Sequence, residues 1–207
     1  ETGLEHVERF YNAVVAPMDG RVRSGRMSDM LGDMARTLPR AFPEDPDIQA
    51  KIQAHLSVGI AVYGRHDEAL RMARESVERH QALLGDMHSD TLTARVCCAF
   101  VERLAGDVEV ADETLDDVLA IVLEWLEVRE IDEALVARLG EAMQHAGRAD
   151  DAITLRKAWL DTTIRNSVDD GPVLGARRQL VASLIGSGQY AELEAQCQKK
   201  WNVTRLA

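Results

Sequence analysis

The sequence predicts an all-α fold, an α-solenoid of about four helix hairpins preceded by N-terminal capping helices. Composition is the first reason, because residues that lose little side-chain entropy in a helix dominate it and aromatic residues make up only 4%. Proline placement is the second, since all five prolines lie outside residues 47–171 and an interior proline strongly destabilises a helix. A regular spacing of glycines is the third.

The chain is expected to begin with a helical cap over residues 1–45. Its boundary falls in the sequence PEDPDIQA, where Asp45 is well placed as an N-cap and Pro46 as the first helical residue. The repeats follow directly from this point.

Four glycines mark the repeats at intervals of 42, 41 and 41 residues. They are Gly64, Gly106, Gly147 and Gly188. Each is expected to end the first helix of a hairpin with a positive φ, and small or apolar residues on both sides would face the seam between the two helices. One hairpin cannot bury its apolar face alone, so neighbouring hairpins must stack. The expected units are residues 46–86, 87–129, 130–170 and 171–207.

The segment GDMHSDTL, residues 85–92, raises the question of a metal site, because Asp86, His88 and Asp90 alternate in it. A metal site needs three or four convergent ligands with supporting contacts. The repeat instead explains the segment as a connection, with Gly85 ending one helix and Asp90 as the N-cap of the next. We therefore predict no metal site here.

Equivalent connections are expected near residues 127–131 and at residues 166–175. In the second of these, Gly171 and Pro172 are residue types that interrupt helices.

The net charge of −11 and the absence of a Lys/Arg run argue against nucleic acid as a direct partner. No apolar run approaches the roughly 20 residues of a membrane span, so membrane attachment is expected only through a flanking segment outside this sequence.

Three cysteines, Cys97, Cys98 and Cys197, cannot all pair within the chain. We expect buried thiols, and cysteine usage leaves the compartment open.

The sequence GRHDEALRMARESVERHQALLGDMHSDTLTA resembles a tetratricopeptide repeat (TPR) of the roughly 42-residue kind found in kinesin light chains and many bacterial regulators. The resemblance departs from the family pattern at His66, where an aromatic residue is usual, and at Ser89, where proline is usual. In the second repeat, Glu102 also stands where the family prefers an aromatic residue. The matching positions are Gly64, Arg65, Glu68, Ala69, Leu84, Gly85, His88, Asp90, Thr91 and Leu92.

The N-terminal part, VERFYNAVVAPMD with GRMSDMLGDMARTLPRAFPEDPDIQAKIQAHL, resembles the segment that precedes TPRs in two groups of bacterial transmembrane regulators. These are serine/threonine kinases with a carboxy-terminal repeat region and winged-helix regulators with an extracytoplasmic repeat region. The resemblance implies an extracytoplasmic, periplasmic sensor domain, with a cytoplasmic location as the alternative.

In TPR arrays the first helices line an inner groove that binds the partner. The resemblance implies that the groove of this chain includes Lys51, Val58, Thr93, Phe100, Arg103, Glu141, Gln144, His145 and Arg178. The set lacks the full lysine–arginine clamp for a carboxy-terminal carboxylate. The expected ligand is therefore a protein, a peptide or a small molecule, with self-association as a further expectation.

We expect a non-catalytic binding or sensor module without catalytic residues or a cofactor. Nucleophile elbows, phosphate loops, paired cysteine ligands and dinucleotide fingerprints are all missing from the sequence. Any catalysis, such as kinase activity, would lie in a domain outside this chain. A cytoplasmic protein-binding scaffold is the alternative, and an enzyme would need convergent polar groups in a closed pocket.

Overall fold

A computed structural model describes residues 27–128, 131–167 and 170–195, and every regular element in those ranges is an α-helix. The helices are α1 (Met27–Ala41), α2 (Pro46–Val62), α3 (His66–Leu84), α4 (Ser89–Ala105), α5 (Val108–Val128), α6 (Glu133–His145), α7 (Ala149–Asn166) and α8 (Asp170–Gly186). Residues 190–195 are also helical.

The four repeat glycines lie at the tight turns between helices, as predicted. Their φ angles are all positive, at 84° for Gly64, 103° for Gly106, 77° for Gly147 and 73° for Gly188. A side chain would be strained in this left-handed region, which explains the choice of glycine. In each repeat we call the helix before this glycine the first helix and the one after it the second helix.

The chain divides into two compact units within α5, between Thr114 and Leu115. The first unit contains α1 to α4 and the start of α5. The second contains the rest of α5, α6 to α8 and the helical residues 190–195.

In the first unit, α2 and α3 pack as a hairpin and α4 packs against both. Leu38 of α1 and Phe42 beyond its end share one apolar core with Ile60 of α2, Met72 of α3 and Val101 of α4. The α1 helix therefore covers part of the first hairpin. Residues 1–26 of the predicted cap lie outside the described residues.

In the second unit, α6 and α7 form a hairpin and α8 packs against α7. Its buried apolar side chains include Leu139 of α6, Leu155 of α7 and Leu184 of α8. The hydroxyl of Thr162 on α7 donates a hydrogen bond to the backbone carbonyl of Leu126 at 3.1 Å, which joins α7 to the end of α5.

The connection at residues 85–88 differs from the prediction at one cap. Gly85 ends α3 with a φ of 84°, as predicted, but α4 begins at Ser89 and its N-cap is His88. The Nδ1 atom of His88 accepts the backbone N–H of Asp90 at 3.2 Å. Asp90 as the N-cap was therefore wrong, because its own N–H is capped and its carboxylate pairs with Lys51 at 2.7 Å.

The prediction for residues 166–175 was also wrong in detail. Helix α7 extends to Asn166 and α8 begins at Asp170, so Gly171 and Pro172 lie in the first helical turn. Proline is tolerated there because the first N–H groups of a helix have no helical acceptor. The other connection, between Val128 and Glu133, is close to the predicted residues 127–131.

Helix α2 begins as predicted, with Asp45 at the N-cap position and Pro46 at the first helical position. The Asp45 side chain makes no capping hydrogen bond, however. The start of α2 therefore depends on the fixed φ of proline more than on the carboxylate.

Candidate binding surfaces

The first helices of the first unit, α2 and α4, pack side by side. Small residues form their seam, with Ala54 of α2 against Ala94 and Cys97 of α4. The ion pair between Lys51 and Asp90 joins the second turn of α2 to the first turn of α4. The two helices therefore run parallel, as the first helices of a repeat array must.

Four of the five predicted groove residues of this unit retain exposed surface. Lys51 is exposed, whereas Val58, Phe100 and Arg103 are partly buried. Arg103 pairs with Asp112 of α5, with 2.9 Å between Nη1 and Oδ1. Thr93 is the exception, at 6% exposed, and its hydroxyl donates to the backbone carbonyl of Ser89 at 2.9 Å. Its side chain is bonded within its own helix, and its place in the groove stays a prediction.

The first helices of the second unit, α6 and α8, are joined by polar contacts. Glu133 Oε1 at the start of α6 accepts a hydrogen bond of 3.1 Å from Gln179 Nε2, which lies midway along α8. Toward their C-terminal ends, a Cβ on Gly186 would lie 3.6 Å from Gln144 Nε2. These two helices are therefore parallel as well.

The predicted groove residues of the second unit are Glu141, Gln144 and His145 on α6 and Arg178 on α8. Glu141, His145 and Arg178 are exposed, and Glu141 pairs with Arg138 at 3.0 Å. Gln144 is partly buried, and its Oε1 accepts a hydrogen bond from Arg156 Nη1 at 3.2 Å. Whether these residues contact a partner stays a prediction.

The sequence reasoning missed Arg156, which is only 4% exposed. Its guanidinium lies against Gly140 of α6, where a Cβ would stand 2.7 Å from Nε. Nε has no hydrogen-bond partner among the described residues, and burial lowers the pKa of this arginine from its ordinary value. Repeats one and two have the apolar residues Ala73 and Leu115 at this position. An alignment of the repeats would therefore have identified Arg156 as a charged residue at a core position.

A cavity of about 270 Å³ lies in the first unit between α3, α4 and the start of α5. Its lining includes Arg74, Val77, Arg95, Cys98, Glu102 and Val110. We call this cavity the repeat-two pocket. It lies away from the predicted groove, because at about 100° per residue its positions on α4 are nearly opposite Phe100 and Arg103.

Glu102 is the buried charge of the repeat-two pocket, at 6% exposed. Its Oε1 lies 3.3 Å from Nη2 of Arg74, a side chain that is 56% exposed. The neighbouring Cys98 is also buried, and burial together with the Glu102 charge raises the pKa of its thiol to about 12. Cys98 is therefore a protonated, unreactive thiol at neutral pH. Cys97 and Cys98 are both buried free thiols, as predicted, and Cys197 lies outside the described residues.

A second cavity, of about 200 Å³, lies between α1, α2 and α3 and is lined by a closed polar network. Gln53 donates to Glu75 at 3.0 Å, Arg71 donates to Glu75 at 2.8 Å, and Arg79 donates to Gln53 at 3.1 Å. Burial alone would raise the pKa of Glu75, but these hydrogen bonds and the nearby arginines lower it overall. The network satisfies its own groups, which favours a structural role.

Within residues 27–128, 131–167 and 170–195, no three His, Cys, Asp or Glu side chains are placed to hold a metal ion together. Over the same ranges, no helix combines the length and apolar character that a membrane crossing requires.

Solved structures of TPR-like proteins resemble this chain over nearly its whole length. One is a protein of Podosopora anserina whose nearly identical TPR-like repeats are assigned to a kinesin light chain, with 17% identity and a TM-score of 0.57 over 99% of this chain and 97% of that one. Another is BtubC (BKLC) from P. vanneervenii, with 16% identity and a TM-score of 0.51 over 100% and 92% of the two chains. No protein-family model matches, and neither does any curated protein.

These likenesses confirm the predicted fold class, an all-α solenoid type with TPR-like helix hairpins. At such low identity they concern the fold, and the binding surfaces must be argued from this chain's own residues.

Proposed function

We propose that this chain is a non-catalytic protein-interaction module that binds a polypeptide along its first helices. The observation that supports this most is the parallel packing of the first helices α2 and α4 in the first unit, together with the hydrogen bond that links the first helices α6 and α8 in the second unit. Parallel first helices present a row of side chains from neighbouring repeats to one extended partner.

The side chains of the first unit have suitable chemistry for such a partner. Val58 and Phe100 offer apolar surface, and Lys51 and Arg103 are held by Asp90 and Asp112. Surface ion pairs of this kind contribute little to stability, so the cations can exchange an internal partner for an acidic group of a ligand at small cost.

A more specific role follows from the resemblance of residues 7–56 to the segments before TPRs in bacterial membrane regulators. We propose that the chain is the extracytoplasmic sensor region of a bacterial transmembrane serine/threonine kinase. Ligand binding or self-association would then change the activity of an output domain outside this chain. A cytoplasmic scaffold, or the sensor of a winged-helix transcriptional regulator, would use the same surfaces.

The interaction role can be tested with a randomised peptide library displayed on phage and selected on the 207-residue chain. For peptides that contact the groove of the first unit, Lys51→Glu combined with Arg103→Glu should weaken binding about tenfold or more, since two charges reverse. Arg40→Glu is the matched control, because Arg40 is an exposed cation on α1.

Enrichment of no peptide at all would contradict the interaction role. Equal binding of a peptide to the wild type and to the charge-reversed variant would show that the peptide binds outside the first-unit groove.

The sensor role needs a separate test in the full-length gene product. A gene that encodes no membrane span, or no kinase domain, would contradict the proposed kinase-sensor role. Unchanged autophosphorylation of the full-length protein after Lys51→Glu with Arg103→Glu would contradict regulation through this groove.

A further inference from the structure

The repeat-two pocket exists because the second repeat departs from the others at core positions. Glu102 stands four residues before the repeat glycine, where the other repeats have fully buried apolar side chains. Those residues are Ile60, Met143 and Leu184. Cys98 stands eight residues before the glycine, where the other repeats have buried leucines. These are Leu56, Leu139 and Leu180.

Two positions on α5 depart in the same repeat. Thr114 occupies a position where repeats one and three have the buried Met72 and Leu155. Val110 is an exposed apolar residue at a position where the other repeats are acidic. The acidic residues there are Glu68, Asp151 and Glu192. The smaller side chains of Cys98 and Thr114 leave the space of the pocket. Repeat two thus has an apolar residue, Val110, where the other repeats have an acidic residue, and an acidic residue, Glu102, where they have a core residue.

The charge inside this pocket is weakly satisfied. A buried carboxylate is costly unless it is paired and hydrogen-bonded. Among the described residues, the cation that pairs with Glu102 is Arg74, at a long 3.3 Å and from a half-exposed side chain. The thiol of Cys98 is a weak donor. Glu102 can therefore accept a better-placed cation from outside.

Displacement of Arg74 would be inexpensive. Arg74 and Glu78 are four residues apart on α3, a spacing at which opposite charges meet on a helix surface. A guanidinium released from Glu102 thus has a nearby carboxylate. Arg95 is partly buried and also lines the pocket, so the ligand must place its charge against Glu102 and not at the centre of the cavity.

We propose that the repeat-two pocket receives one basic side chain, lysine or arginine, from a partner polypeptide, with its charged end on Glu102 and its aliphatic stem against Val77 and Val110. This rests on the proposed interaction role and adds the chemistry of the partner. A cavity of about 270 Å³ is below the usual range for drug-sized ligands and suits one side chain. The net charge of −11 favours the approach of a basic partner.

The test uses the same phage-displayed library, selected on the wild-type chain. Enriched peptides should share a lysine or arginine at one position. Replacing that residue by norleucine should weaken binding about tenfold or more, because a charge-assisted hydrogen bond is lost. Glu102→Gln should weaken the basic peptide to the same extent and leave the norleucine peptide unchanged. Glu113→Gln is the control, an exposed glutamate on α5 outside the pocket lining.

A second variant separates loss of the pocket from loss of the fold. Cys98→Leu with Glu102→Met gives repeat two the residue types of repeat three, so it should fold, melt at a higher temperature and fail to bind the basic peptide. Peptides that bind this filled variant and the wild type with equal affinity would contradict the proposed binding of a basic side chain in the repeat-two pocket, while the interaction role would still hold. Enriched peptides without a common basic position would also overturn it. Failure to enrich any peptide would contradict both.

Discussion

Repeats two and three each carry a charged residue at a core position, and the two repeats accommodate it in opposite ways. In repeat two, Glu102 is accompanied by smaller neighbours, Cys98 and Thr114, and a cavity remains. In repeat three, the long side chain of Arg156 fills the space that Gly140 leaves on the facing helix. In repeat two the smaller neighbouring side chains leave a cavity beside the charge, whereas in repeat three the charged side chain itself occupies the space beside Gly140.

The largest expected effect is on repeat three. Arg156→Ala should lower the free energy of unfolding by about 2–4 kcal/mol, because it leaves a void beside Gly140 and removes the hydrogen bond to Gln144. Urea denaturation would measure the change. The same protein with Gly140→Ser as well, which reproduces the Ser57 and Ala73 pair of repeat one, should recover part of the loss.

The double-mutant cycle is decisive for this part of the comparison. Gly140→Ser alone should cost about 1–3 kcal/mol, since the added side chain meets a buried guanidinium. Additive effects of the two substitutions would show that Arg156 and Gly140 are not a matched pair.

Much of the fold was predictable because its determinants are local. A glycine with positive φ between two helices leaves a mark at one position, and its recurrence located all four tight turns. The N-cap of α4 was not predictable, because histidine is not a preferred N-cap residue, whereas aspartate is, and the Asp90 carboxylate instead pairs with Lys51. The burial of Thr93 was not predictable either, because a position on a first helix does not reveal how deeply its side chain is buried.

The cavities could not be predicted from the sequence and were found only in the structure. Glu102 was visible as a departure from the family pattern, but a cavity depends on side chains from three helices together. Repeat alignment supplies the missing signal for both Glu102 and Arg156, since each is charged where its equivalents are small or apolar. The remaining groove residues stay a prediction, because exposure alone does not identify a binding residue.

A smaller effect is expected from filling the repeat-two pocket. Cys98→Leu with Glu102→Met should raise the free energy of unfolding by about 1–3 kcal/mol, because it removes a buried charge and buries additional apolar surface. Thermal and urea denaturation would measure it. A destabilised variant would mean that repeat two cannot adopt the packing of repeat three, and the comparison between them would fail.

The smallest effect concerns the thiol in the pocket. The pKa of Cys98 is about 12 when folded, against an ordinary value of 9.0, so the folded state holds this proton more tightly. Its contribution to stability is therefore fully present below about pH 9 and is lost as the pH rises toward about 12. The wild type should lose stability over this range more steeply than Cys98→Ala, in urea titrations at matched pH. Parallel curves would indicate that the thiol is not buried against Glu102.

The most direct test of the account is the affinity of one library-selected basic peptide for the wild type and for Glu102→Gln, measured by isothermal titration calorimetry. The account predicts binding about tenfold weaker or more in the variant, with an unchanged melting transition or a higher one. Equal affinity for the two proteins would contradict a role for the buried carboxylate in recognition.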